Sequence, residues 1–165
     1  MFDVQIPLPG AHMVLNALAA TAVGLQLGLT TEQIAAGIAA VQAVSGRSRV
    51  VQAKDLVLID DCYNANPVST KAALDLLSLA DGRKVAVLGD MFELGEKERE
   101  LHGQVGAYVA EKGIDCLYCA GNLSKEMYRA AKEAGIDCVE HFADTDALLA
   151  ASVSYTHLRA HETTL

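Results

Sequence analysis

The sequence predicts an α/β fold, because apolar strands and amphipathic helices alternate along residues 44–151. Short, fully apolar runs such as KVAVLGD and CLYCAG are typical of strands that are buried on both faces. Each run is followed by a longer stretch with helical periodicity. This β-α-β-α-β-α order requires crossover connections, which predict a Rossmann-like, mostly parallel sheet with helices on both faces.

The first 43 residues follow a different pattern. A short extended segment ends at the turn Pro7-Leu8-Pro9-Gly10, and HMVLNALAATAVGLQLG, which is apolar on all sides, predicts a buried helix of about 15 residues. Thr30 and Gln33 form a capping-box pattern at the start of a second helix, which runs to about Ala43. Because two helices cannot form a domain alone, we expect this piece to leave an apolar face exposed.

The remaining elements are predicted in chain order. Residues 48–52 and 56–59 flank Ala53-Lys54-Asp55 and predict a hairpin. Four helices and three strands then alternate: helix PVSTKAALDLLSLA, strand KVAVLGD, helix EKERELHGQVGAYVAEKG, strand CLYCAG, helix LSKEMYRAAKEAG, strand CVEHF and helix DTDALLAA.

The final segment, residues 152–165, has no apolar period and predicts a non-native or disordered tail. His157 and His161 are spaced i and i+4, as in half of a metal site. We assign no function and no metal ligand to this segment.

Charge and hydropathy argue against two classes of partner. The chain has 13 Lys and Arg against 21 Asp and Glu, a formal net charge of −8. It has no basic cluster of the kind that nucleic acid phosphates need. No apolar run reaches the roughly 18 residues of a membrane span, and the N-terminus lacks the layout of a signal peptide. We therefore expect a cytoplasmic protein that binds neither nucleic acid nor membrane.

Four cysteines occur in the chain: Cys62, Cys116, Cys119 and Cys138. Disulfides are rare in the cytosol, so we expect reduced thiols. The Cys116-x-x-Cys119 spacing is compatible with a redox or zinc site. However, CLYCAG has the pattern of a buried strand, and no second CxxC completes a zinc site. A structural role for this pair is the favoured interpretation.

The loop after the second strand is unusually polar. Five polar residues lie immediately before a helix: Asp60, Asp61, Tyr63, Asn64 and Asn66. An Asp at the carboxyl end of a strand is well placed to accept hydrogen bonds from ribose hydroxyls, which predicts a ligand role for Asp61. The alternative is that Asn66 caps the helix and Asp60 is solvated, which does not explain the other residues.

The loop LGDMFELGE has the same character, with Asp90, Glu93 and Glu96 beside a helix start. It is a candidate for contact with substrate. The alternative is that these acids complement the helix dipole. His102, inside the helix, is interpreted as a surface or packing residue.

Two further features suggest ligand contacts. His12 and Asn16 share one helix face, where an Asn side chain could pair with adenine or with a partner protein. Arg47, in the junction Ser45-Gly46-Arg47, could hold a phosphate or a carboxylate. The chain contains no GxxxxGK[ST] loop and no GxGxxG motif. If the protein uses ATP, the triphosphate cradle lies elsewhere.

Together these segments resemble the Mur ligases. The resemblance is carried by PGAHMVLNALAA, SGRSR, IDDCYNANP and LGDMFELGE, and it covers about residues 1–151. The strings YNANP and GDMFELG are the specific ones, and they resemble the branch of the family that adds D-Ala-D-Ala to UDP-N-acetylmuramoyl-tripeptide.

The resemblance implies an enzyme of peptidoglycan synthesis with three domains. Residues 1–43 would be the end of the central ATP-binding domain, and residues 44–151 a truncated C-terminal domain. The N-terminal domain and the rest of the central domain would be missing. ATP, with Mg²⁺, would convert the tripeptide carboxylate into an acyl phosphate, which the amine of D-Ala-D-Ala attacks to form the amide. The chain alone would be inactive.

The resemblance also implies roles for individual residues. Asn16 would contact adenine, with His12 in the same motif, and Arg47 would reach the terminal phosphates as the catalytic arginine. Asp61 would lie near the ribose. Three further residues would line the same nucleotide loop: Tyr63, Asn64 and Asn66. Three would face the amino-acid substrate: Asp90, Met91 and Glu93.

The metal ligands would lie in the missing upstream region. The chain departs from the family pattern at three positions: Met13, Ala11 and Cys62, where Asn, Arg and Ser are common.

Two alternatives stay open. One is a sister amide ligase that adds a diamino acid or glutamate. The other is a free-standing Rossmann-like module that binds a nucleotide without catalysis. Nucleotide binding by the chain alone would favour the second.

Overall fold

The computed structural model describes residues 2–54 and 56–155. The chain divides into two compact units, Met1–Asn64 and Ala65–Leu165. The domain boundary predicted between residues 43 and 44 stays a prediction, because compactness alone does not define a domain of a family.

The first unit contains two helices and a hairpin. Its elements are α1 (His12–Gln26), α2 (Thr31–Ala39), β1 (Arg49–Ala53) and β2 (Leu56–Asp60). The predicted capping box is confirmed: Thr30 Oγ1 accepts a hydrogen bond from Gln33 N, and Gln33 Oε1 accepts one from Thr30 N. The predicted hairpin is also confirmed, with β1 and β2 antiparallel and Arg49 opposite Asp60. Helix α2 ends at Ala39, before the predicted Ala43.

The prediction that α1 is buried is wrong for this chain. Gly24 is its only buried residue among those described, whereas Leu15 is 68% exposed. The helix packs against α2 at Gly24, where a Cβ atom would lie 2.8 Å from Cγ1 of Ile34. A helix that is apolar on all sides is expected to be packed against other elements, but its sequence does not indicate which elements these are. The exposed apolar face expected for residues 1–43 is present.

The second unit is an α/β structure. Its helices are α3 (Pro67–Ser78), α4 (Glu98–Glu111), α5 (Lys125–Glu133) and α6 (Thr145–Tyr155), and a short 3-10 helix, Gly95–Lys97, precedes α4. Its strands are β3 (Val85–Gly89), β4 (Cys116–Ala120) and β5 (Cys138–Phe142). The strands are parallel, in the order β3-β4-β5. This arrangement confirms the predicted α/β fold with a parallel sheet and flanking helices.

The core of the second unit lies where α4 and α5 pack together beside β4. Its buried members are Leu74, Ala86, Met91, Val105, Val109, Ile114, Leu117, Cys119, Met127 and Ala131. The helices are in close backbone contact at Gly106. A Cβ atom there would lie 2.6 Å from the Cα atom of Met127, so this position requires glycine.

The last helix is longer than predicted. The sequence pattern ends at Ala151, whereas α6 continues to Tyr155. The rest of the predicted tail, including His157 and His161, lies outside the described residues. Among residues 2–54 and 56–155, no helix is long and apolar enough to cross a membrane.

The expectation of four reduced thiols is wrong, because Cys116 and Cys138 form a disulfide. The two residues are opposite one another in the parallel register of β4 and β5, with their Cα atoms 4.7 Å apart. The sequence could not show this pairing, since it depends on strand register. Cys119 lies buried in β4, which confirms that CLYCAG forms a buried strand.

The thiols are therefore expected to differ in reactivity. Without reductant, a thiol-specific alkylating reagent should modify the exposed Cys62 and leave Cys119 untouched in the folded chain. Burial raises the pKa of Cys119 to about 12, which removes its reactive thiolate at neutral pH. Cys62 should react slowly, because its hydrogen bond to Asp60 raises its pKa.

Mass spectrometry after alkylation measures this directly. When the protein is unfolded without reductant, Cys119 should become alkylated as well as Cys62. When it is unfolded with reductant, Cys116 and Cys138 should also become alkylated. Modification of all four cysteines in unfolded protein without reductant would contradict the disulfide.

Candidate functional site

In the first unit, the end of the hairpin is fixed by hydrogen bonds between two segments. Asp60 Oδ2 accepts from Gly46 N at 3.0 Å, and Asp61 Oδ1 accepts from Ser48 N at 2.8 Å. The backbone N–H of Tyr63 donates to Gly46 O at 2.9 Å. The loop after β2 therefore lies directly alongside residues 46–48, and its two acids bind the backbone on either side of Arg47, one at Gly46 and one at Ser48.

Arg47 is stacked on an exposed ring. Its guanidinium carbon lies 4.1 Å from the centre of the Tyr63 ring, a cation–π contact, and both side chains are exposed. Gly46 makes this approach possible: its φ is +74°, and a Cβ atom would lie 3.2 Å from Tyr63 N. A planar cation held in this way is suited to bind phosphate or carboxylate through two hydrogen bonds.

The two acids of this loop are engaged in the fold. Hydrogen bonds from the Cys62 thiol and then from Gly46 N hold the pKa of Asp60 below its usual value. Asp60 is therefore ionised at neutral pH, and its carboxylate accepts the hydrogen bond from Gly46 N. Asp61 is half-buried and uses one carboxylate oxygen to hold Ser48, whose φ is +46°. Asp61 thus links the junction to the nucleotide loop predicted from the sequence.

His12 and Asn16 lie in the first turns of α1. The His12 ring lies against Gly10, where a Cβ atom would be 2.9 Å from Nδ1. Asn16 is exposed, and its amide donates to the thioether of Met13 at 3.5 Å, a weak hydrogen bond. Contact of Asn16 with adenine stays a prediction.

In the second unit, Asn66 is the N-cap of α3. Its Oδ1 accepts hydrogen bonds from the backbone N–H groups of Val68 and Ser69, both at 3.0 Å, and Pro67 occupies the first helical position. The capping role considered from the sequence is therefore present. A nucleotide contact by Asn66 would have to use its amide nitrogen. Asn64, the last residue of the first unit, is exposed.

Asp90, which directly follows β3, joins two neighbouring strand ends. Its Oδ1 accepts from Ser124 N at 2.7 Å, and its Oδ2 accepts from Asn122 N at 2.9 Å. Gly121 has φ +124°, and a side chain there would collide with the Asp90 carboxylate. The carboxylate lies at the amino end of α5, where the helix dipole favours an anion.

Met91 is held by a buried histidine. The backbone N–H of Met91 donates to His102 Nε2 at 2.9 Å, and His102 Nδ1 donates to Glu98 O at 2.6 Å. Because a carbonyl can only accept, these two bonds fix His102 as the tautomer protonated at Nδ1. The Met91 side chain is buried in the core, and Thr70 Oγ1 lies 3.7 Å from its sulfur.

The next two residues of this loop project outward. Phe92 is 72% exposed and Glu93 is exposed, with φ +62° at Glu93. Leu94 then packs against the core. The loop GDMFELG therefore exposes the side chains of Phe92 and Glu93 between Met91 and Leu94, which pack in or against the core.

Six of the ten predicted site residues thus fall into two groups. The structure brings Arg47, Asp61 and Tyr63 together around Gly46. Asp90, Met91 and Glu93 lie together in one loop of the second unit. Sequence reasoning missed Phe92 and the role of His102; the single available signal for His102 was a lone histidine within an amphipathic helix. Within the described ranges, no group of three or more His, Cys, Asp or Glu is arranged to hold a metal.

The second unit is an α/β structure with a polar loop, residues 90–94, at the carboxyl end of a parallel strand, where ligands of such sheets bind. The loop after β2 instead follows a strand of an antiparallel hairpin, so the parallel-sheet rule used to predict a site there does not apply to it. The model of the family "Mur ligase, glutamate ligase domain" matches residues 46–163, and the chain belongs to this family.

Individual relatives share most of the chain. It is 42% identical over 148 residues to the UDP-N-acetylmuramoyl-tripeptide–D-alanyl-D-alanine ligase of Escherichia coli, covering 89% of this chain and 32% of that protein. It is 36% identical to the Bacillus subtilis protein of the same name, over 88% of this chain and 33% of the relative. The crystal structure of MurF from Acinetobacter baumannii superposes with a TM-score of 0.84 at 32% identity, over 97% of this chain and 34% of that one. The chain spans about a third of the length of these relatives.

Proposed function

We propose that this chain is the C-terminal part of an ATP-dependent ligase that joins D-Ala-D-Ala to UDP-N-acetylmuramoyl-tripeptide in peptidoglycan synthesis. The observation that carries the proposal is the 42% identity over 148 residues to an E. coli protein named for this reaction. The rest of the enzyme, comprising the N-terminal domain and most of the central domain, would lie outside this chain. The complete ligase would act in the cytoplasm.

The nucleotide is proposed to contact the loop after β2 and residues 46–48 of the first unit. Arg47, held on Tyr63 at 4.1 Å, would bind the terminal phosphates of ATP, and Asp61 would accept from the ribose hydroxyls. Four further residues are proposed to line the nucleotide: His12, Asn16, Asn64 and Asn66. The groups present suit ATP: a planar cation, a carboxylate and amides. Mg²⁺, which would neutralise phosphate charge, is proposed to be bound by residues outside this chain.

The reaction has two steps. A carboxylate oxygen of the tripeptide attacks the γ-phosphorus of ATP, and ADP leaves. The amine of D-Ala-D-Ala then attacks the acyl carbon, loses a proton and expels phosphate. Arg47 would stabilise the charge that develops on the transferred phosphoryl group. The loop containing Asp90, Met91 and Glu93 is proposed to face the incoming dipeptide.

The choice of amine tests the proposal. In the complete protein, phosphate release from ATP in the presence of UDP-N-acetylmuramoyl-tripeptide should depend on D-Ala-D-Ala. D-glutamate and a diamino acid, offered with the acceptors that sister ligases use, serve as controls. Activity with either control and none with the dipeptide would assign the chain to a sister ligase instead.

The 165-residue chain by itself should not bind ATP at micromolar concentration, since it has no GxxxxGK[ST] loop. Isothermal titration measures this. Micromolar binding would favour the alternative of a free-standing nucleotide-binding module.

A further inference from the structure

Two consecutive residues of the loop after β3 are fixed by different neighbours. The Asp90 carboxylate is tied to the β4–α5 loop through Asn122 N and Ser124 N. The Met91 backbone is tied to α4 through His102 Nε2. The loop is therefore attached to two separate elements of the second unit immediately before Phe92.

Both ring nitrogens of His102 are used in hydrogen bonds. The ring is fully buried, and both of its nitrogens have backbone partners, Met91 N and Glu98 O. A histidine that served only to fill the core would not need an acceptor aimed at a loop amide. This one uses a ring nitrogen to satisfy a buried N–H that no strand or helix ladder reaches.

The two residues that follow the anchors are exposed to solvent, and the second has a strained backbone. Phe92 is 72% exposed, and Glu93 has φ +62°, a region that side-chain-bearing residues rarely adopt. On the other side of the pair, Leu94 packs against the core. Backbone strain persists where surrounding contacts fix it, and it is concentrated at ligand sites.

We propose that Asp90 and His102 are positioning residues that hold Phe92 and Glu93 as a preformed contact surface for the dipeptide amine substrate. This inference rests on the proposed function. D-Ala-D-Ala offers an ammonium group, which the Glu93 carboxylate attracts, and methyl groups, which pack against the Phe92 ring. A surface that is ordered before binding loses less conformational entropy when the dipeptide arrives.

Contact of these two side chains with D-Ala-D-Ala is tested with Phe92→Ala and Glu93→Gln in the complete ligase. Each should raise KM for D-Ala-D-Ala at least tenfold while KM for ATP changes less than twofold. The matched controls are Leu79→Ala, which removes a side chain that is 80% exposed at the end of α3, and Glu111→Gln, at an exposed glutamate. Both controls should leave both KM values unchanged. Unchanged KM for the dipeptide in Phe92→Ala and Glu93→Gln would overturn the contact surface.

Positioning by His102 is tested with two variants that each keep one of its hydrogen bonds. His102→Gln retains an acceptor that can reach Met91 N, whereas His102→Asn retains a donor near Glu98 O and loses the acceptor. His102→Asn should raise KM for D-Ala-D-Ala at least fivefold, and His102→Gln should restore it to within twofold. Equal KM values for the dipeptide in the two variants would overturn the positioning role.

Amide hydrogen exchange on the 165-residue chain provides a second readout that does not depend on activity. The Met91 amide should exchange at least tenfold faster in His102→Asn than in His102→Gln, with amides of β4 unchanged. Equal exchange rates of the Met91 amide in the two variants would contradict the positioning role, whatever KM values they have. A wild-type ligase that does not use the dipeptide would refute the proposed function, and the exchange result would then still decide whether His102 holds the loop.

Discussion

Replacing Gly106 with alanine is expected to destabilise the second unit by about 3 kcal/mol. The added Cβ atom would lie 2.6 Å from the Cα atom and 2.7 Å from the carbonyl carbon of Met127. These are backbone atoms of α5, so no side-chain rotation relieves the collision. The helices α4 and α5 must move apart, which opens the core around Val105 and Val109.

Gly103 provides the matched control, because it lies in the same helix and an added Cβ atom there meets nothing within 4 Å. Gly103→Ala should stabilise the chain by about 0.5–1 kcal/mol, since alanine favours helix more than glycine does. Urea unfolding of the 165-residue chain, followed by circular dichroism, measures both variants. A Gly106→Ala variant as stable as wild type would show that α4 and α5 are not in close backbone contact.

Replacing Arg47 with alanine should lower kcat of the complete ligase by about 100- to 1000-fold, the usual loss when one preorganised charge-stabilising group is removed. Asp60 and Asp61 fix the backbone on either side of Arg47, at Gly46 and Ser48. The guanidinium carbon lies 4.1 Å from the Tyr63 ring centre, so the side chain is oriented by the ring before ATP binds. Arg47→Lys should recover little of the activity, because lysine keeps the charge without the planar fork.

Arg99 supplies the control for charge alone. Its side chain is 75% exposed on α4, and Arg99→Ala should leave kcat within twofold of wild type. Steady-state kinetics with saturating ATP, tripeptide substrate and D-Ala-D-Ala separate the two variants. An Arg47→Ala enzyme that keeps more than a third of wild-type kcat would contradict a catalytic role for Arg47.

Much of the fold could be predicted from local sequence. Apolar strands, helical periods, the capping box at Thr30 and the N-cap considered at Asn66 depend on residues within a few positions of each other. For this reason the predicted helices and strands agree with the structure to within a few residues. The largest differences are at α2, which ends at Ala39 rather than Ala43, and at α6, which continues past Ala151 to Tyr155. Polar residues after an apolar strand also mark its carboxyl end, which located the two loops as candidate sites; their role in binding stays a prediction.

The failures concern contacts between distant residues. Cys116 and Cys138 pair because strand register places them side by side, and register is not visible in either strand alone. The exposure of α1 depends on which other elements pack against it, and the composition of the helix itself does not show this. The role of His102 depends on the position of Met91 N after the chain has turned from β3 into α4. Sequence reasoning could note the histidine but not its partner.

The reading frame that precedes this chain in its genome distinguishes part of a ligase from a free-standing module. If the chain is the C-terminal part of an ATP-dependent ligase, the DNA upstream of Met1 should encode an in-frame GxxxxGK[ST] loop, which would supply the triphosphate site that the 165 residues lack. An in-frame stop codon just upstream, together with a native product of 17.4 kDa, would contradict the account and favour a free-standing binding module.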